Sequence, residues 1–341
     1  MVEDKAPESV WTRSDWWRSA RRLWKTPYEK GELDRPVGLW VTDACVVLAR
    51  FDRLDAYSVA TGAFLWTWRP PGEDVVRVVS PDVEDGVGVV LHYDDGARDV
   101  RHVDLTALDT ASGTVAWTRR EDAERLGDLG EYNCEVALGA GRLATVVDKW
   151  RDAPKLRVDD VRTGRTRWSH KLTDGRSEPE AVICAAPFVA RLEARGSRGR
   201  PRLSVDGVPL RLPPDCAKFG EQVAVTGDVV AVQVVPVDEV EKEYYVRLGA
   251  FSVTSGEPLW EWRTRSDAST IVPLAHRGWL LALHGYGNRL SVLDPSDGRI
   301  VAWRRARGHA YDPLVAAHGD VIAVACRSRG DSRRLRVFRW R

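Results

Sequence analysis

The chain has 341 residues, 43% of them hydrophobic and 30% charged, a composition typical of a folded globular protein rather than a disordered one. Its 51 lysines and arginines nearly balance 50 acidic residues, so the net charge of +1 indicates neither a nucleic-acid partner nor an anionic membrane. The cysteines are odd in number and none is paired as CxxC, which favours reduced core thiols and predicts no metal site. They are Cys45, Cys134, Cys184, Cys216 and Cys326.

The N-terminal residues 1–24 mix acids, arginines and tryptophans and lack the apolar stretch of a secretory signal. The most apolar run, residues 223–237, is interrupted by Asp228 and Gln233 and alternates as strands do, so we expect no membrane-spanning segment. We therefore expect a cytoplasmic protein. Residues 1–19 are interpreted as a tryptophan-rich N-terminal extension and residues 20–341 as one β-propeller domain.

A short pattern recurs along the chain, in which a strand ends in a glycine-containing turn and a tryptophan follows the glycine four residues later. The clearest copy is ALDTASGTVAW, residues 107–117. The turn glycines are Gly62, Gly113, Gly164, Gly256 and Gly298. The tryptophans that follow these glycines are Trp66, Trp117, Trp168, Trp260 and, after the extra residue Ala302, Trp303. A further tryptophan, Trp24, occurs without the turn.

Between these motifs lie alternating strands that begin after a glycine, so that each repeat holds four strands. The units lie near residues 38–68, 75–118, 133–170, 180–212, 220–262, 270–304 and 312–340. Such repeats predict an all-β fold, a single seven-bladed β-propeller of four-stranded blades, with eight blades as the alternative. The last unit lacks an outer strand, and we expect residues 20–26 to supply it and close the ring.

The repeated tryptophans are predicted to be structural. Glycine permits the positive φ of the turn, and the large indole fills the gap between neighbouring blades while its N–H finds a partner in the next turn. We assign this role, rather than base or sugar stacking, to Trp24, Trp66, Trp117, Trp168, Trp260 and Trp303. The fourth unit is degenerate, because it keeps Gly207 but has Leu210 or a neighbour where a tryptophan is expected.

The turn residues resemble the tryptophan-docking motif of the quinoprotein-type propellers, whose repeats are pyrroloquinoline-quinone-like. Two turns fit it best, through Ala107, Asp109, Gly113 and Trp117, and through Asp160, Thr163, Gly164 and Trp168. Ser58 and Ser252 replace the aspartate in the first and fifth units. The resemblance covers nearly the whole chain and differs from tryptophan–aspartate repeats, in which an aspartate would follow the tryptophan.

Quinone-dependent dehydrogenases of the family are typically eight-bladed, exported and calcium-dependent, with two adjacent cysteines near the cofactor. This chain has seven predicted blades, no export signal and no adjacent cysteines, so we expect no quinone cofactor and no other cofactor. Cys45 lies in a predicted strand, which argues against the lipidated cysteine of the family's envelope-assembly lipoproteins. With the dehydrogenases and the lipoproteins set aside, the chain is similar to cytoplasmic propellers that act as interaction or ligand-sensing modules.

The loops that enter and leave each blade converge on one face of a propeller, which is its default binding site. The candidate ligand-binding residues begin innermost strands or occupy one register near the ends of second strands. They are Asp74, His92, Tyr93, Glu135, Glu180, Glu193, Glu221, Gln233, His284 and Asp312. The sequence therefore predicts a non-catalytic, monomeric scaffold that binds an unidentified protein or small molecule at this face.

The alternative is an enzyme. The sequence contains no serine elbow, phosphate loop, His-Glu-x-x-His or dinucleotide fingerprint. Four side chains could still exchange protons in a lyase, cyclase or hydrolase, namely Glu135, Glu221, His92 and His284. Their convergence within hydrogen-bonding distance would favour chemistry, whereas mutually paired charges would favour binding.

Overall fold

Two N-terminal strands, β1 (Val2–Glu3) and β2 (Ala20–Lys25), precede the repeats in the computed structural model. The structure describes residues 2–3, 20–26, 36–94, 100–123, 136–147, 155–171, 177–194, 202–238, 245–265, 271–284, 289–305, 314–327 and 333–340. The chain divides into two compact units, one of Gly31–Pro201 and one that combines Met1–Lys30 with Arg202–Arg341. Across these described ranges, no helix combines the length and apolarity needed to cross a bilayer.

Three antiparallel four-stranded sheets, the first three blades, lie in the unit Gly31–Pro201. Blade 1 is β3 (Pro36–Val41), β4 (Cys45–Arg50), β5 (Leu54–Ser58) and β6 (Phe64–Trp68). Blade 2 is β7 (Asp74–Val79), β8 (Val87–Asp94), β9 (His102–Asp109) and β10 (Val115–Asp122). Blade 3 is β11 (Val136–Gly139), β12 (Arg142–Val147), β13 (Lys155–Asp160) and β14 (Thr166–Lys171).

The fourth sheet contains the boundary between the units, and the last three sheets lie in the second unit. Blade 4 is β15 (Ser177–Ala185), β16 (Phe188–Ala194), β17 (Arg202–Val205) and β18 (Val208–Pro209). Blade 5 is β19 (Cys216–Thr226), β20 (Val229–Pro236), β21 (Tyr245–Ser252) and β22 (Pro258–Arg265). Blade 6 is β23 (Val272–His276), β24 (Trp279–His284), β25 (Arg289–Leu293) and β26 (Ile300–Arg305). Blade 7 contains β27 (Leu314–His318), β28 (Val321–Arg327) and β29 (Arg333–Trp340).

The outer strand of blade 7 comes from the N-terminus, as predicted. Its sheet order is β2-β29-β28-β27, with Trp24 opposite Val337. The backbone N–H of Thr26 extends the pairing by donating to the Leu335 carbonyl at 3.1 Å. The described strands thus form seven four-stranded sheets, and the fold is the predicted seven-bladed β-propeller rather than the eight-bladed alternative. β1 adds a short parallel strand beside β22.

The core lies between neighbouring sheets. The second strand of a blade is covered on both faces there, so its sequence is apolar at nearly every position. All six residues of β4 and the first seven of β8 are buried. Trp40 of β3 packs directly over Gly88 of β8, where an added Cβ would overlap the indole ring. The indole N–H of Trp40 donates to the Ser80 carbonyl at 2.8 Å. A glycine in the second strand therefore makes room for a tryptophan from the preceding blade.

The docking turn of blade 2 shows why its residue types recur. Gly113 has a φ of +72°, and a Cβ there would lie 2.6 Å from the ring of Trp66. Trp66 donates its indole N–H to the Thr110 carbonyl at 3.2 Å. Asp109 closes the turn by accepting bonds from both the hydroxyl and the N–H of Ser112 at 2.8 Å, which hold the pKa of its carboxyl below the usual value. Glycine is thus required for both backbone conformation and space.

Two further tryptophans dock in the same way. Trp117 lies on Gly164, and Trp260 lies on Gly298. Each indole nitrogen donates to a carbonyl of the same turn at 2.8 Å. Each of these indoles therefore covers the turn glycine of the next blade and bonds its backbone.

Two other tryptophans of the set, Trp168 and Trp303, differ. Trp168 is 44% exposed. In blade 6, Ala302 stands opposite Val292, the register that docking tryptophans occupy elsewhere, so Trp303 is displaced by one residue. Successive side chains of a strand point to opposite faces, and the displacement puts Trp303 on the other face. There its ring lies 4.6 Å from the guanidinium of Arg289, so it does not repeat the docking contact.

The fourth blade departs from the motif, as its sequence predicted. Asp206 and Gly207, both with positive φ, form a two-residue hairpin turn in place of the longer docking turn. In blade 5, the space over Gly256 is filled by the backbone carbonyl of Pro209 instead of an indole. Leu210 is buried, and its N–H bonds the Leu203 carbonyl at 2.8 Å. Backbone packing therefore replaces tryptophan docking in this blade.

Candidate functional site

Strands β7 and β8 bring two predicted site residues together at the loop end of blade 2. His92 is 1% exposed, and its Nδ1 lies 2.7 Å from Oδ2 of Asp74, which is 20% exposed. Its Nε2 lies 2.9 Å from the hydroxyl oxygen of Thr106 on β9. An ionised carboxylate only accepts hydrogen bonds, so Nδ1 donates to Asp74. Both ring nitrogens are engaged, which fixes the orientation of the imidazole.

The His92 ring is also held from the preceding blade. Trp68 of β6 lies edge-on to it, with ring centroids 5.6 Å apart and an interplanar angle of 65°. Thr106 continues the network to Thr118 of β10 at 3.1 Å. Trp68 was missed in the sequence, although it follows Trp66 by two residues and so lies on the same face of the strand.

Asp104 stands opposite His92 in the β8–β9 ladder and completes a possible donor set for a cation. Ligand atoms of Asp74, His92 and Asp104 lie within 4.8 Å of one another. Arg120 already holds both oxygens of Asp104, at 3.0 and 2.8 Å. A metal ion would have to displace this guanidinium and at least one bond of His92. The geometry is that of a closed hydrogen-bond network.

His284 occupies the same register in blade 6. It is buried, its Nε2 lies 3.1 Å from the Ser291 hydroxyl, and Trp262 lies edge-on to it at 5.3 Å. Arg289 stands opposite it in the ladder, where blade 2 has Asp104. Burial, with a smaller effect of Arg289, lowers the pKa of His284 to about 3. The ring is therefore neutral near pH 7 and is a poor proton donor there.

Two other predicted site residues take part in packing. Tyr93 is buried, and its ring lies 5.3 Å from the Arg77 guanidinium, which lies at the same distance from the Phe51 ring. The side-chain oxygen of Gln233 accepts a long bond, 3.4 Å, from the Ile271 N–H at the start of blade 6. Neither side chain joins the His92 network in these contacts.

The predicted acids fall into two groups. Glu180, Glu193 and Glu221 lie in β15, β16 and β19, but their side chains are outside the described part of the structure. Glu135 and Asp312 lie outside the described residues altogether. The predicted convergence of these acids with the histidines therefore stays a prediction.

A cluster of charges lies at the loop end of blade 1. Arg50, which is buried, donates to Asp55 at 2.8 Å, and Arg53 donates to the same carboxylate at 2.9 Å. Arg53 and Arg69 both reach Asp52 at 2.8 Å. Burial alone would raise the pKa of Asp52, but the hydrogen bonds from Arg69 and Arg53 outweigh it and the pKa is lowered.

A second charge network joins blades 2 and 3 and was missed in the sequence. Arg119 contacts Glu121 and Asp159, each at 2.7 Å. Arg157 contacts the same two carboxylates, at 2.7 and 3.2 Å. Glu121, Arg157 and Asp159 are buried, so each charge depends on its partners. Nothing local in the sequence links residues 121 and 157, which meet only when the blades pack.

Most of the chain matches the sequence profile of one known family. The sequence profile of the family described as "Outer membrane protein assembly factor BamB" matches residues 12–209 and 242–338. The match confirms the resemblance to propellers with quinoprotein-type repeats. No curated protein shows significant sequence similarity to the chain.

Solved structures share the fold at low sequence identity. A chain of BamB from Moraxella catarrhalis matches with a TM-score of 0.50 and 14% identity, covering 90% of this chain and 86% of that one. The Neurospora crassa Pan2 WD40 domain matches at 0.58 with 10% identity, covering 95% and 96%. A chain of the mitotic checkpoint complex matches at 0.57 with 11% identity, covering 94% and 96%. These likenesses show the propeller fold alone.

Proposed function

The chain belongs to the family described as outer membrane protein assembly factor BamB, and from that premise we propose that it is a non-catalytic scaffold that binds a protein partner. The proposed contact surface is the loop face of blades 1 and 2, which comprises residues 51–53, 69–74, 94 and 122. A family named after an assembly factor favours binding over catalysis, and loops displayed by a rigid scaffold are the usual place for it.

The observation that carries the proposal is the closed network around His92. Both ring nitrogens bond protein groups, and Asp104 is bound by Arg120 through both oxygens. A general base must reach the substrate proton, and both His92 and its hydroxyl partner Thr106 are only 1% exposed. His284, with its pKa near 3, does not exchange protons near neutrality. The two candidate catalytic histidines therefore support the blades.

The rim of the loop face remains available for contacts. Arg69 and Asp122 have side-chain exposures of 58% and 60%. Beneath them, the network of Asp74 and His92 and the pairing of Arg53 with Asp52 hold the loop ends in place. Charges of both signs on a rigid base suit a protein surface, where such residues fix register and orientation more than they add affinity.

We also propose a cytoplasmic location. Cys45 and Cys216 are fully buried thiols. Burial raises the pKa of both thiols, to about 12 for Cys216, and so keeps them protonated and unreactive. Fractionation of producing cells against marker proteins of each compartment tests this location, and recovery of the protein in an exported fraction contradicts it.

The test of binding uses the full chain and two matched double variants. Arg69→Ala with Asp122→Ala removes two exposed loop-face charges. Arg162→Ala with Asp297→Ala likewise removes one charge of each sign, with exposures of 65% and 56%, from docking turns. Proteins that co-purify with each variant are quantified by mass spectrometry. We expect a partner retained by the wild type and the docking-turn variant to be depleted at least ten-fold with the loop-face variant.

A partner retained equally by both variants would place the binding surface elsewhere, and loss with both would indicate a general defect. Native mass spectrometry of the wild-type protein addresses the small-molecule alternative. A stoichiometric small molecule in place of a protein contradicts the proposed partner class, and a homodimeric mass contradicts a monomeric scaffold.

A further inference from the structure

The outer edge of blade 5 differs from the other described blade edges, because a further strand is added to it. β1 runs parallel to β22, with Val2 opposite Trp262 and Glu3 opposite Arg263. The sheet order β1-β22-β21-β20-β19 puts β1 on the outside, whereas the other six described sheets have four strands each. The outer strand of blade 5 therefore accepts an extended segment through its backbone, which is the geometry of β-strand addition.

β22 is a firmly held template for such a segment. Its ladder with β21 extends from Pro258 to Arg265. A register shift lies at the start of the strand, between Pro258 and Trp260, and the ladder from Trp260 to Arg265 is regular. Trp260 also anchors the strand to blade 6, because its indole N–H donates to the Pro295 carbonyl at 2.8 Å. A rigid edge spares the binding reaction the cost of ordering the receptor.

The two residues of β22 that stand opposite β1 have side chains engaged within the propeller. Trp262 is 1% exposed and lies edge-on to His284 of blade 6. The guanidinium of Arg263 lies 4.0 Å from the centroid of the Tyr245 ring on β21. These contacts are made with blades 5 and 6 themselves, so recognition at the edge depends on backbone groups.

The pairing of β1 is short enough to be exchanged. β1 has two residues and β22 has eight. Fixing the backbone of a residue costs about as much free energy as one hydrogen bond returns, so a two-residue pairing is marginal. Among the described strands, only β1 lies on this side of β22. A longer extended segment can therefore pair with more of the edge than β1 does.

We propose that the outer edge of β22 binds an extended segment of a partner protein, parallel to β22, and that β1 is the chain's own competitor for this edge. The site contains no residue of the loop face in blades 1 and 2, so it stands independently of that proposed surface. Residues 4–19 connect β1 covalently to β2, which gives β1 a high effective concentration at the edge. Binding of the partner segment displaces β1, and the N-terminus thereby regulates access to the site.

The first test measures whether β1 covers the edge, by hydrogen–deuterium exchange of the full chain followed by mass spectrometry. Val2→Pro with Glu3→Pro removes both backbone N–H groups of β1, whichever of them faces β22. We expect the amides of residues 259–265 to exchange about three-fold faster in this double-proline variant than in the wild type, with the other blades unchanged. Val2→Thr with Glu3→Gln keeps both N–H groups and is the matched control, which should exchange as the wild type does.

The second test adds a synthetic peptide of residues 1–6 to the double-proline variant and follows the same amides. We expect saturable slowing of exchange in residues 259–265. The peptide should bind the variant about three-fold more tightly than the wild type, because the tethered β1 no longer competes. The same peptide with N-methyl groups on Val2 and Glu3 lacks the backbone donors and should give no protection.

Several results overturn the proposal. Equal exchange of β22 in the wild type and the double-proline variant would mean that β1 does not cover the edge, and faster exchange in every blade would make β1 a structural strand. Fast exchange in the matched control, no slowing by the peptide, or protection by its N-methylated form would exclude backbone recognition. A wild-type dimer in native mass spectrometry that the double-proline variant does not form would assign the edge to β1 of a second copy.

Discussion

The same position in two blades holds a histidine in opposite surroundings. His92 in blade 2 and His284 in blade 6 each bond a hydroxyl of the next strand and lie edge-on to a tryptophan of the preceding blade. The residue across the ladder differs, because it is Asp104 in blade 2 and Arg289 in blade 6. The repeat therefore specifies where the ring lies, and a cross-strand neighbour sets its charge environment.

The difference extends to the surface. His92 reaches solvent through Asp74, which is part of the loop face. Among the described residues, no acid contacts His284, and burial keeps its pKa near 3. One imidazole thus belongs to a polar network, and the other behaves as a neutral core residue. Equivalent positions in a repeat do not imply equivalent chemistry.

The largest expected effect comes from removing the tryptophan that covers each histidine. Trp262 is almost fully buried, whereas Trp68 is partly exposed. Trp262→Ala should lower the free energy of unfolding by about 3–5 kcal/mol, and Trp68→Ala by less. Denaturant unfolding followed by circular dichroism measures both, with exposed Trp279→Ala as a control expected to cost less than about 1 kcal/mol. Equal losses would mean that Trp262 contributes no more packing over His284 than Trp68 does over His92.

The second prediction concerns the pH dependence of stability. The folded pKa of His284, about 3, lies below the ordinary value of 6.5, so the unfolded chain binds a proton that the folded protein does not. Stability should therefore be retained above pH 6.5 and fall by roughly 1 kcal/mol per pH unit as the pH decreases towards 3.

Replacing His284 by leucine tests that dependence. Between pH 7 and pH 5, His284→Leu should lose stability less steeply than the wild type, because the variant has no buried imidazole to protonate. Unfolding midpoints measured across this range supply the comparison. Parallel slopes would show that other groups cause the whole acid sensitivity.

The smallest effect is expected from recreating the blade 2 pair in blade 6. Arg289→Asp replaces the cation opposite His284 by a carboxylate, which should raise the pKa of His284. The value should stay below the ordinary one, because burial is the larger cause of the shift. NMR titration of the ring measures the change, and an unaltered pKa would show that the cross-strand charge does not matter. Arg289 is partly exposed, so the cost in stability should be about 1 kcal/mol or less.

The fold could be predicted because its signals are local. Gly113 and Trp117 stand four residues apart, and the backbone conformation of the turn between them explains which residue types it requires. The site could be predicted only in part, because its contacts join distant strands. His92 and Asp74 were both candidates, but nothing in the spacing showed that they would bond each other or that Arg120 would hold Asp104.

Trp303 shows how a local signal can mislead. The extra residue Ala302 was visible, yet the tryptophan was assigned the docking role. In a helix a one-residue insertion rotates a side chain by about 100°, whereas in a strand it reverses the face completely. When a strand repeat contains an inserted residue, the face of the sheet on which each later side chain lies should be worked out first. Only then can the residue type predict a role.

The pairing of β2 with β29 has a consequence for synthesis. The bond between the Leu335 N–H and the Thr26 hydroxyl spans 309 residues. At translation rates of about 5–20 residues per second, β2 waits roughly 15–60 s before its partner β29 leaves the ribosome. During that interval the backbone of β2 is unpaired and open to pairing with another chain. A newly made molecule is thus most vulnerable to aggregation, or dependent on a chaperone, at a time set by the distance between its two ends.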